Sequence, residues 1–224
     1  MTQPPAAAAG NPTRLCGNRI VITGTTGSGK STLAARLAAA RGMPWVELDS
    51  LRFRENWEQT TDAEFRAAAD ERLSGDRWVA DGNYTLLQDI VWGRAETLIW
   101  LDYAFSVNAV RLLKRTVRRI VTQEPLWHGN RESLKMALSR ESILLWLLRS
   151  YSRRRRLMPG RLADPRWTHL QVLRFHTPRE TERWLESILL QRTSATRDLI
   201  DNAESDVGGQ PDAVQRFSGH HRRL

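Results

Sequence analysis

Short apolar runs alternate with longer amphipathic segments between about residues 18 and 190. The apolar runs are rich in β-branched and aromatic residues, and they predict strands at residues 19–23, 45–48, 78–80, 97–101 and 170–175. The amphipathic segments predict helices at residues 30–41, 62–73, 106–121, 132–157 and 178–190. This alternation indicates an α/β fold, a five-stranded parallel sheet with helices on both faces. Ligands of such folds bind at the carboxyl ends of the strands.

Both ends of the chain lack this alternation. Residues 1–17 are rich in Pro, Ala, Gly and Asn, and residues 193–224 are polar. These compositions predict a disordered lead and a disordered tail around a folded domain of residues 18–192. Pro125 interrupts the helical pattern between residues 121 and 132, and we interpret the interruption as a hinge into a helical lid at about residues 115–158.

A phosphate-binding loop joins the first strand to the first helix. Residues 24–31 read GTTGSGKS, which matches the Walker A pattern G-x-x-x-x-G-K-[ST] of P-loop proteins. Glycines allow backbone N–H groups to face phosphate oxygens, and the helix N-terminus adds a favourable dipole. Lys30 is placed to reach the outer phosphates and Ser31 to ligate Mg²⁺. The loop predicts ATP and Mg²⁺ as ligands, with contacts from Gly24, Gly27, Ser28, Gly29, Lys30, Ser31 and Thr32.

Three aspartates, Asp49, Asp81 and Asp102, directly follow predicted strands. Because the carboxyl ends of parallel strands share one edge of a sheet, we expect these side chains near the phosphate loop. Asp81 and Asp102 are candidate metal ligands with Ser31. Asp49 is the candidate general base if the acceptor is a hydroxyl, whereas a phosphate acceptor needs no base. The alternative is that each aspartate only caps a loop or a helix.

Several arginines share one face of the predicted third helix. Arg111, Arg115, Arg118 and Arg119 are spaced at i, i+4, i+7 and i+8. Four like charges repel one another unless an anion lies among them, so the spacing favours a phosphate-binding face. The alternative is a solvated surface stripe. We expect Arg111 and Arg115, together with Arg131, to close over the transferring group, and His128 to be structural or at the surface.

The net charge of +9 and the pI near 10.8 indicate affinity for polyanions without choosing among them. A second basic cluster, Arg149 and residues 153–156, has Trp146, Tyr151 and Trp167 nearby. The cluster supports an alternative function, in which the protein binds DNA or RNA in a nucleotide-dependent way and does not turn over as a kinase. An apolar block at residues 143–148 before the arginines leaves open an interfacial membrane helix.

The location of the protein follows from what the sequence lacks. One cysteine rules out an internal disulfide and fits a reducing compartment. Residues 1–10 lack a signal-peptide pattern, and no apolar run approaches the roughly 20 residues that span a bilayer. We therefore expect a cytoplasmic protein without a transmembrane segment.

Over roughly residues 18–190 the chain resembles the nucleoside-monophosphate kinase group, above all the adenylate-kinase-like DNA topology modulation proteins. The resemblance rests on the phosphate loop, on Asp49 and Arg52 (Asp-x-x-Arg), on the Asp-Gly-Asn-Tyr stretch at residues 81–84, and on Asp102 with Arg111 and Arg115 downstream.

This resemblance implies transfer of the γ-phosphoryl group of ATP to a small-molecule acceptor. It implies that Asp49, Arg52 and Asp81 bind the acceptor, that Arg111 and Arg115 contact ATP, and that residues 177–179 border the adenine. Two positions depart from the group: Thr85 replaces the arginine that holds the acceptor phosphate, and Ala104 replaces the proline after the fourth strand. The acceptor implied by the group, AMP, is therefore in question.

Overall fold

In the computed structural model, which describes residues 17–133 and 143–190, five parallel strands form one sheet. The strand order is β2-β3-β1-β4-β5, and the strands are β1 Arg19–Gly24, β2 Trp45–Glu47, β3 Trp78–Asp81, β4 Thr97–Leu101 and β5 Gln171–Phe175. The predicted α/β fold class is confirmed. The predicted disordered tail, and all of the predicted lead except residue 17, lie outside the described residues.

Helices cover both faces of the sheet. They are α1 Lys30–Arg41, α2 Leu48–Arg52, α3 Asp62–Arg72, α4 Gln88–Arg94, α5 Phe105–Thr122, α6 Ile143–Leu162 and α7, residues 178–190. Short 3₁₀ turns lie at Glu55–Trp57, Thr85–Leu87, Trp127–Gly129 and Pro165–Trp167. Among these helices, none combines the length and the hydrophobicity that crossing a bilayer requires.

Two hydrophobic cores lie on opposite faces of the sheet, because successive residues of a strand point to opposite sides. On one face, Ile20 and Ile22 of β1 pack with side chains of α1 and α7. On the other face, Val21 packs in a cluster with Phe65 of α3 and Met158 of α6. The two cores hold β1 at the centre of the sheet, and the phosphate loop follows directly from its last residue.

The structure corrects several predicted boundaries, two of which bear on the site. β2 ends at Glu47 instead of Leu48, because Leu48 begins α2 and packs its buried side chain against Gly82, where a Cβ would clash. Residues 132 and 133 are not helical; the Glu132 side chain is held by arginines of α5. The helix that follows runs to Leu162 instead of residue 157, and the short helices α2 and α4 were not predicted from the sequence.

Thr61 caps the N-terminus of α3. The Thr61 hydroxyl accepts a hydrogen bond from the Glu64 N–H at 3.2 Å, and the Glu64 carboxylate accepts one from the Thr61 N–H at 2.9 Å. This reciprocal pair satisfies two backbone donors that the first turn would otherwise leave unpaired.

Replacing Thr61 with alanine should lower the free energy of unfolding by about 0.5–2 kcal/mol, because the Glu64 N–H loses its acceptor. Thr61→Ser keeps the hydroxyl and should stay within about 0.5 kcal/mol of the wild type. Urea unfolding followed by circular dichroism measures both variants. Equal losses for the two variants would show that the cap does not stabilise α3.

Candidate functional site

The phosphate loop is held against the backbone of α5. Gly27 and Gly29 have φ angles of 83° and 88°, in the left-handed region that favours glycine. A Cβ on Gly27 would clash with the Asn108 carbonyl oxygen in α5. The loop therefore requires glycine at position 27 for two reasons, its backbone angle and the closeness of a second element.

The loop faces a cavity of about 720 Å³, which we call the loop cavity. Loop residues 26–32 form one wall, α5 a second, and residues 47–57 with residues 126–133 a third. Gly24 does not line this cavity; its N–H donates to the Asn83 side chain at 3.1 Å. The remaining predicted phosphate contacts, Gly27, Ser28, Gly29, Lys30, Ser31 and Thr32, all line it. A volume of this size suits a nucleotide, because small-molecule sites span roughly 300–1,000 Å³.

Asp81 is the carboxylate that the structure brings to the loop. The Ser31 hydroxyl donates to Asp81 Oδ2 at 2.6 Å, and the Trp45 indole N–H donates to Oδ1 at 2.8 Å. Asp81 is 2% exposed, and this burial raises the pKa of its carboxyl group, partly offset by Lys30 and the Ser31 hydrogen bond.

These two oxygens fit a magnesium ion. Mg²⁺ typically binds one or two protein oxygens and takes its other ligands from substrate phosphates and water. Within residues 17–133 and 143–190 no group of three or more His, Cys, Asp or Glu could hold a metal. Ser31 and Asp81 would therefore hold Mg²⁺ only together with the phosphates of a bound nucleotide.

Asp102, the other predicted metal ligand, is paired elsewhere. Its Oδ2 accepts from Arg174 at 2.5 Å, and its Oδ1 lies 3.1 Å from Nε of Arg155. His176 lies 3.7 Å from the same carboxylate. Asp102 follows β4 as predicted, but the structure gives it cationic partners and does not bring it to Ser31.

Asp49 lines the loop cavity from α2. Tyr84, whose pKa is raised by burial and by the Asp49 charge, donates its hydroxyl proton to Asp49 Oδ1 at 2.6 Å. Sequence reasoning missed a second carboxylate on this wall, Glu47, which accepts from the Trp127 indole at 2.6 Å. Burial raises the pKa of Glu47. Glu47 is a carboxylate at the end of β2, like the aspartates that the sequence did indicate. It was missed because the predicted strand ran to Leu48, which placed Glu47 inside the strand.

The four arginines on this face of α5 have different partners. The Arg111 guanidinium donates to the Ser28 carbonyl at 3.1 Å and lies over the Tyr103 ring, 5.9 Å from its centroid. Arg118 pairs at the surface with Glu124 at 2.9 Å. Arg115 and Arg119 turn towards Glu132, another residue that sequence reasoning did not single out.

Glu132 is the anion that separates the like charges of Arg115 and Arg119. Its Oε1 lies 2.9 Å from Nη1 of Arg119 and 4.0 Å from Nη2 of Arg115. Glu132 Oε2 and the Nε atoms of both arginines are buried without a hydrogen-bond partner. Burial, and then the nearby Arg119, lower the pKa of Arg115, while Glu132 opposes that shift. A carboxylate thus lies where the sequence predicts phosphate.

The third wall of the cavity forms where residues 124–133 fold onto residues 47–57. Phe53 and Trp127 stack with centroids 6.0 Å apart. The Asn130 amide donates to the Arg54 carbonyl at 2.7 Å and accepts from the Trp57 N–H at 2.9 Å. His128 is at the surface, with its ring nitrogen 3.2 Å from the Ser50 carbonyl. These contacts enclose the cavity on the side away from the sheet.

Two predicted site arginines lie outside the cavity. Arg131 donates to the Gln123 carbonyl at 2.8 Å, near the end of α5. Arg52 forms a salt bridge with Asp62 at 2.8 Å and lies over the Phe65 ring. Neither lines the loop cavity, so the structure does not bring Arg131 over the phosphate loop or Arg52 into the cavity with Asp49, as the sequence predicts.

The phosphate loop, the flanking strands and the helices on both faces define the class of the fold, a P-loop α/β protein. The sequence matches the family described as an AAA domain over residues 19–109, from β1 into α5 and less than half of the chain. Comparison with curated protein sequences finds no match.

Similar solved structures include a gluconokinase from Sinorhizobium meliloti 1021, with 20% identity, a TM-score of 0.46, and coverage of 84% of this chain and 99% of that one. A shikimate kinase from Bacteroides thetaiotaomicron has 15% identity, a TM-score of 0.47, and coverage of 78% and 98%. A sugar kinase from Janibacter sp. HTCC2649 has 20% identity, a TM-score of 0.44, and coverage of 76% and 91%. Likeness at this level says nothing about what this chain acts on.

Replacing Glu132 with glutamine should tighten ATP binding about fivefold or more, because a unit charge near phosphate is worth roughly 1 kcal/mol or more. The variant leaves Arg115 and Arg119 to pair with phosphate. Titration calorimetry with a non-hydrolysable ATP analogue and Mg²⁺ measures the change.

Glu124→Gln is the matched control, since it removes the surface partner of Arg118. The control should bind the nucleotide like the wild type. Unchanged or weaker binding by Glu132→Gln, with an unchanged unfolding midpoint, would show that Glu132 does not compete with phosphate.

Proposed function

We propose that this protein is a P-loop phosphotransferase that moves the γ-phosphoryl group of ATP to a small-molecule acceptor. The observation that carries the proposal is the composition of the loop cavity. One wall holds the phosphate loop, and the facing wall holds Asp49, a carboxylate positioned by Tyr84. Such a carboxylate could take the proton of a hydroxyl acceptor, a role that nucleotide binding alone does not require.

The chain's own cations bind and orient the nucleotide. The loop N–H groups and Lys30 hold the outer phosphates, and Arg111, fixed beside Ser28, adds positive charge next to them. Arg115 lies one turn further along α5, within reach of the same phosphates once Glu132 moves away. Near the far end of the cavity, Tyr103, Pro178 and Thr181 form the wall against which the adenine would lie.

Ser31 and Asp81 are the residues that would hold Mg²⁺, which when bound neutralises charge on the phosphate oxygens. Asp81 serves this role only in its charged form. Because burial raises the pKa of its carboxyl group, protonation begins at a higher pH than for an exposed aspartate. Metal-dependent nucleotide binding would therefore weaken as the pH falls.

If the acceptor is a hydroxyl, Asp49 takes the proton that the hydroxyl loses. A bond forms between the acceptor oxygen and the γ-phosphorus, the bond from that phosphorus to the oxygen of ADP breaks, and the hydroxyl proton passes to the Asp49 carboxylate. Tyr84 occupies Oδ1, so Oδ2 is the oxygen that accepts the proton. Residues 126–133 form the wall that would limit the access of water, and such exclusion would favour the acceptor over hydrolysis.

The nucleic-acid alternative has less support from the structure. Of the three aromatic residues named for this role, Trp167 is 7% exposed, the Tyr151 hydroxyl donates a hydrogen bond to the Tyr103 carbonyl, and Trp146 is 52% exposed. Arg155 is paired with Asp102. Single-strand binding needs several open aromatic rings along a basic groove. The interfacial-helix alternative stays a prediction.

The direct test is a coupled ADP-release assay with Mg²⁺ and ATP against a panel of nucleoside monophosphates, nucleosides and small hydroxyl compounds. We expect release that depends on one acceptor class and is lost in Lys30→Ala. If the nucleotide binds and no acceptor stimulates release, the protein is not a kinase and its nucleotide acts as a switch.

With a hydroxyl acceptor, Asp49→Asn should lower kcat roughly 10²–10⁴-fold, because the base that takes the proton is lost. Nucleotide affinity should stay unchanged. Asp62→Asn, which alters an aspartate outside the cavity, is the control and should turn over normally. Near-normal turnover in Asp49→Asn would remove Asp49 as the base.

A further inference from the structure

A second cavity lies beside the first residues of the phosphate loop. It has a volume of about 330 Å³ and is bounded by residues 23–25, residues 82–85, the end of β4 and one face of α6. Its volume is at the lower end of the range for small-molecule sites, roughly 300–1,000 Å³. We call it the α6 cavity; Lys30, Ser31 and Asp81 do not line it.

Arginines dominate the helical wall of this cavity. The lining arginines are Arg149, Arg153, Arg154, Arg155 and Arg161. Arg155 is paired with Asp102, but for the other four no ion pair exists among the residues that the structure describes. Clustered guanidinium groups without carboxylate partners repel one another, and an anion between them removes that cost.

The excess of positive charge in the α6 cavity is clearest at Arg154. It is partly buried, and its nearest ring contact is Trp146, with the guanidinium carbon 5.8 Å from the ring centroid. Burial, followed by the charge of Arg161, lowers the pKa of Arg154. A partly buried cation next to a second cation is stabilised by a ligand of opposite charge.

The facing wall supplies neutral hydrogen-bonding groups. Asn83, Tyr84, Thr85 and Gln88 line it, and Arg161 reaches across to donate to the Thr85 hydroxyl at 3.4 Å. Position 85 is where the sequence lacks an expected arginine. The structure thus brings an arginine of α6 to the place where one is missing from the strand–loop segment.

One hydrogen bond connects a residue that lines the α6 cavity with a residue that lines the loop cavity. Tyr84 lines the α6 cavity, Asp49 lines the loop cavity, and the Tyr84 hydroxyl donates to Asp49 at 2.6 Å. The Tyr84 side chain therefore links a molecule held in the α6 cavity to the carboxylate that lines the loop cavity.

We infer that the α6 cavity binds the acceptor, and that the acceptor is a small molecule carrying a phosphate or carboxylate group held by Arg154 and Arg161. The assignment as acceptor rests on the proposed phosphotransferase function. The small volume and the polar facing wall suit a compact hydroxylated anion.

Anion binding is tested first, apart from turnover. Inorganic phosphate, and acetate as the carboxylate probe, are titrated calorimetrically into the full chain saturated with Mg²⁺ and a non-hydrolysable ATP analogue, so that the phosphate loop is blocked. We expect binding of at least one probe, weakened at least about tenfold in the double variant Arg154→Gln/Arg161→Gln.

Arg156→Gln is the matched control, because Arg156 belongs to the same arginine run but does not line the cavity. It should bind the probe like the wild type. No probe binding by the nucleotide-saturated wild type, or equal loss in the control and the double variant, would overturn the inference. Oligonucleotide binding that all these variants weaken alike would also overturn it, in favour of a polyanion surface.

Turnover separates this inference from the proposed function. ADP release is compared for matched pairs of compounds, with and without the anionic group, such as glycerol 3-phosphate and glycerol or adenosine monophosphate and adenosine. We expect the anionic member to be preferred and its KM to rise at least about tenfold in Arg154→Gln, with the KM for ATP unchanged. Turnover of neutral compounds alone contradicts the inference and leaves the kinase intact. Arginine-dependent phosphate binding without any turnover contradicts the kinase and leaves the anion site.

Discussion

The close approach of α5 to the phosphate loop is the contact on which the rest of the site depends. Gly27 lies so close to the Asn108 carbonyl that no side chain fits between the loop and α5 at this position. That contact places Arg111 beside Ser28 and directs the next turns of α5 along the loop cavity. The central position of β1 then brings the ends of its neighbours β3 and β4 to the loop. One glycine contact thus sets the positions of the cations and the carboxylates together.

The charges around the loop cavity balance one another across its walls. The loop and α5 contribute cations, and residues 47–57 and 124–133 contribute Glu47, Asp49 and Glu132. Glu132 lets two arginines lie together in a buried position, and Trp127 holds Glu47 in place. Clefts with this arrangement attract polyanions while keeping their own cations compatible with the folded state. The α6 cavity lacks such internal anions apart from Asp102, which is why its arginines point to an anionic ligand.

The sequence predicts well what depends on neighbouring residues. The strands follow from local periodicity, and the structure confirms the parallel sheet that they predict; the glycine-rich segment joins β1 to α1, as its spacing predicts. The roles of distant residues are harder to predict. Asp81 and Asp102 look equivalent in the sequence because both follow strands beside β1. Their difference arises from partners far along the chain: Ser31 and Trp45 for Asp81, Arg155 and Arg174 for Asp102.

The same reasoning explains the arginines. Spacing alone places Arg111 and Arg115 on one helix face correctly, since helix geometry is local. It gives no information about Arg52 and Arg131, whose partners Asp62 and the Gln123 carbonyl are set by tertiary packing. Glu132 was missed because a lone glutamate after a proline break has no pattern. Only the fold shows that it lies against two arginines that come before it in the chain.

The most direct test of the account is an experimental structure of the chain with Mg²⁺ and a non-hydrolysable ATP analogue. The account predicts phosphates on Lys30 and the loop N–H groups, the metal on Ser31 and Asp81, and Glu132 displaced from Arg119. A nucleotide in the α6 cavity, or a metal held by Asp102 away from Ser31, would contradict it.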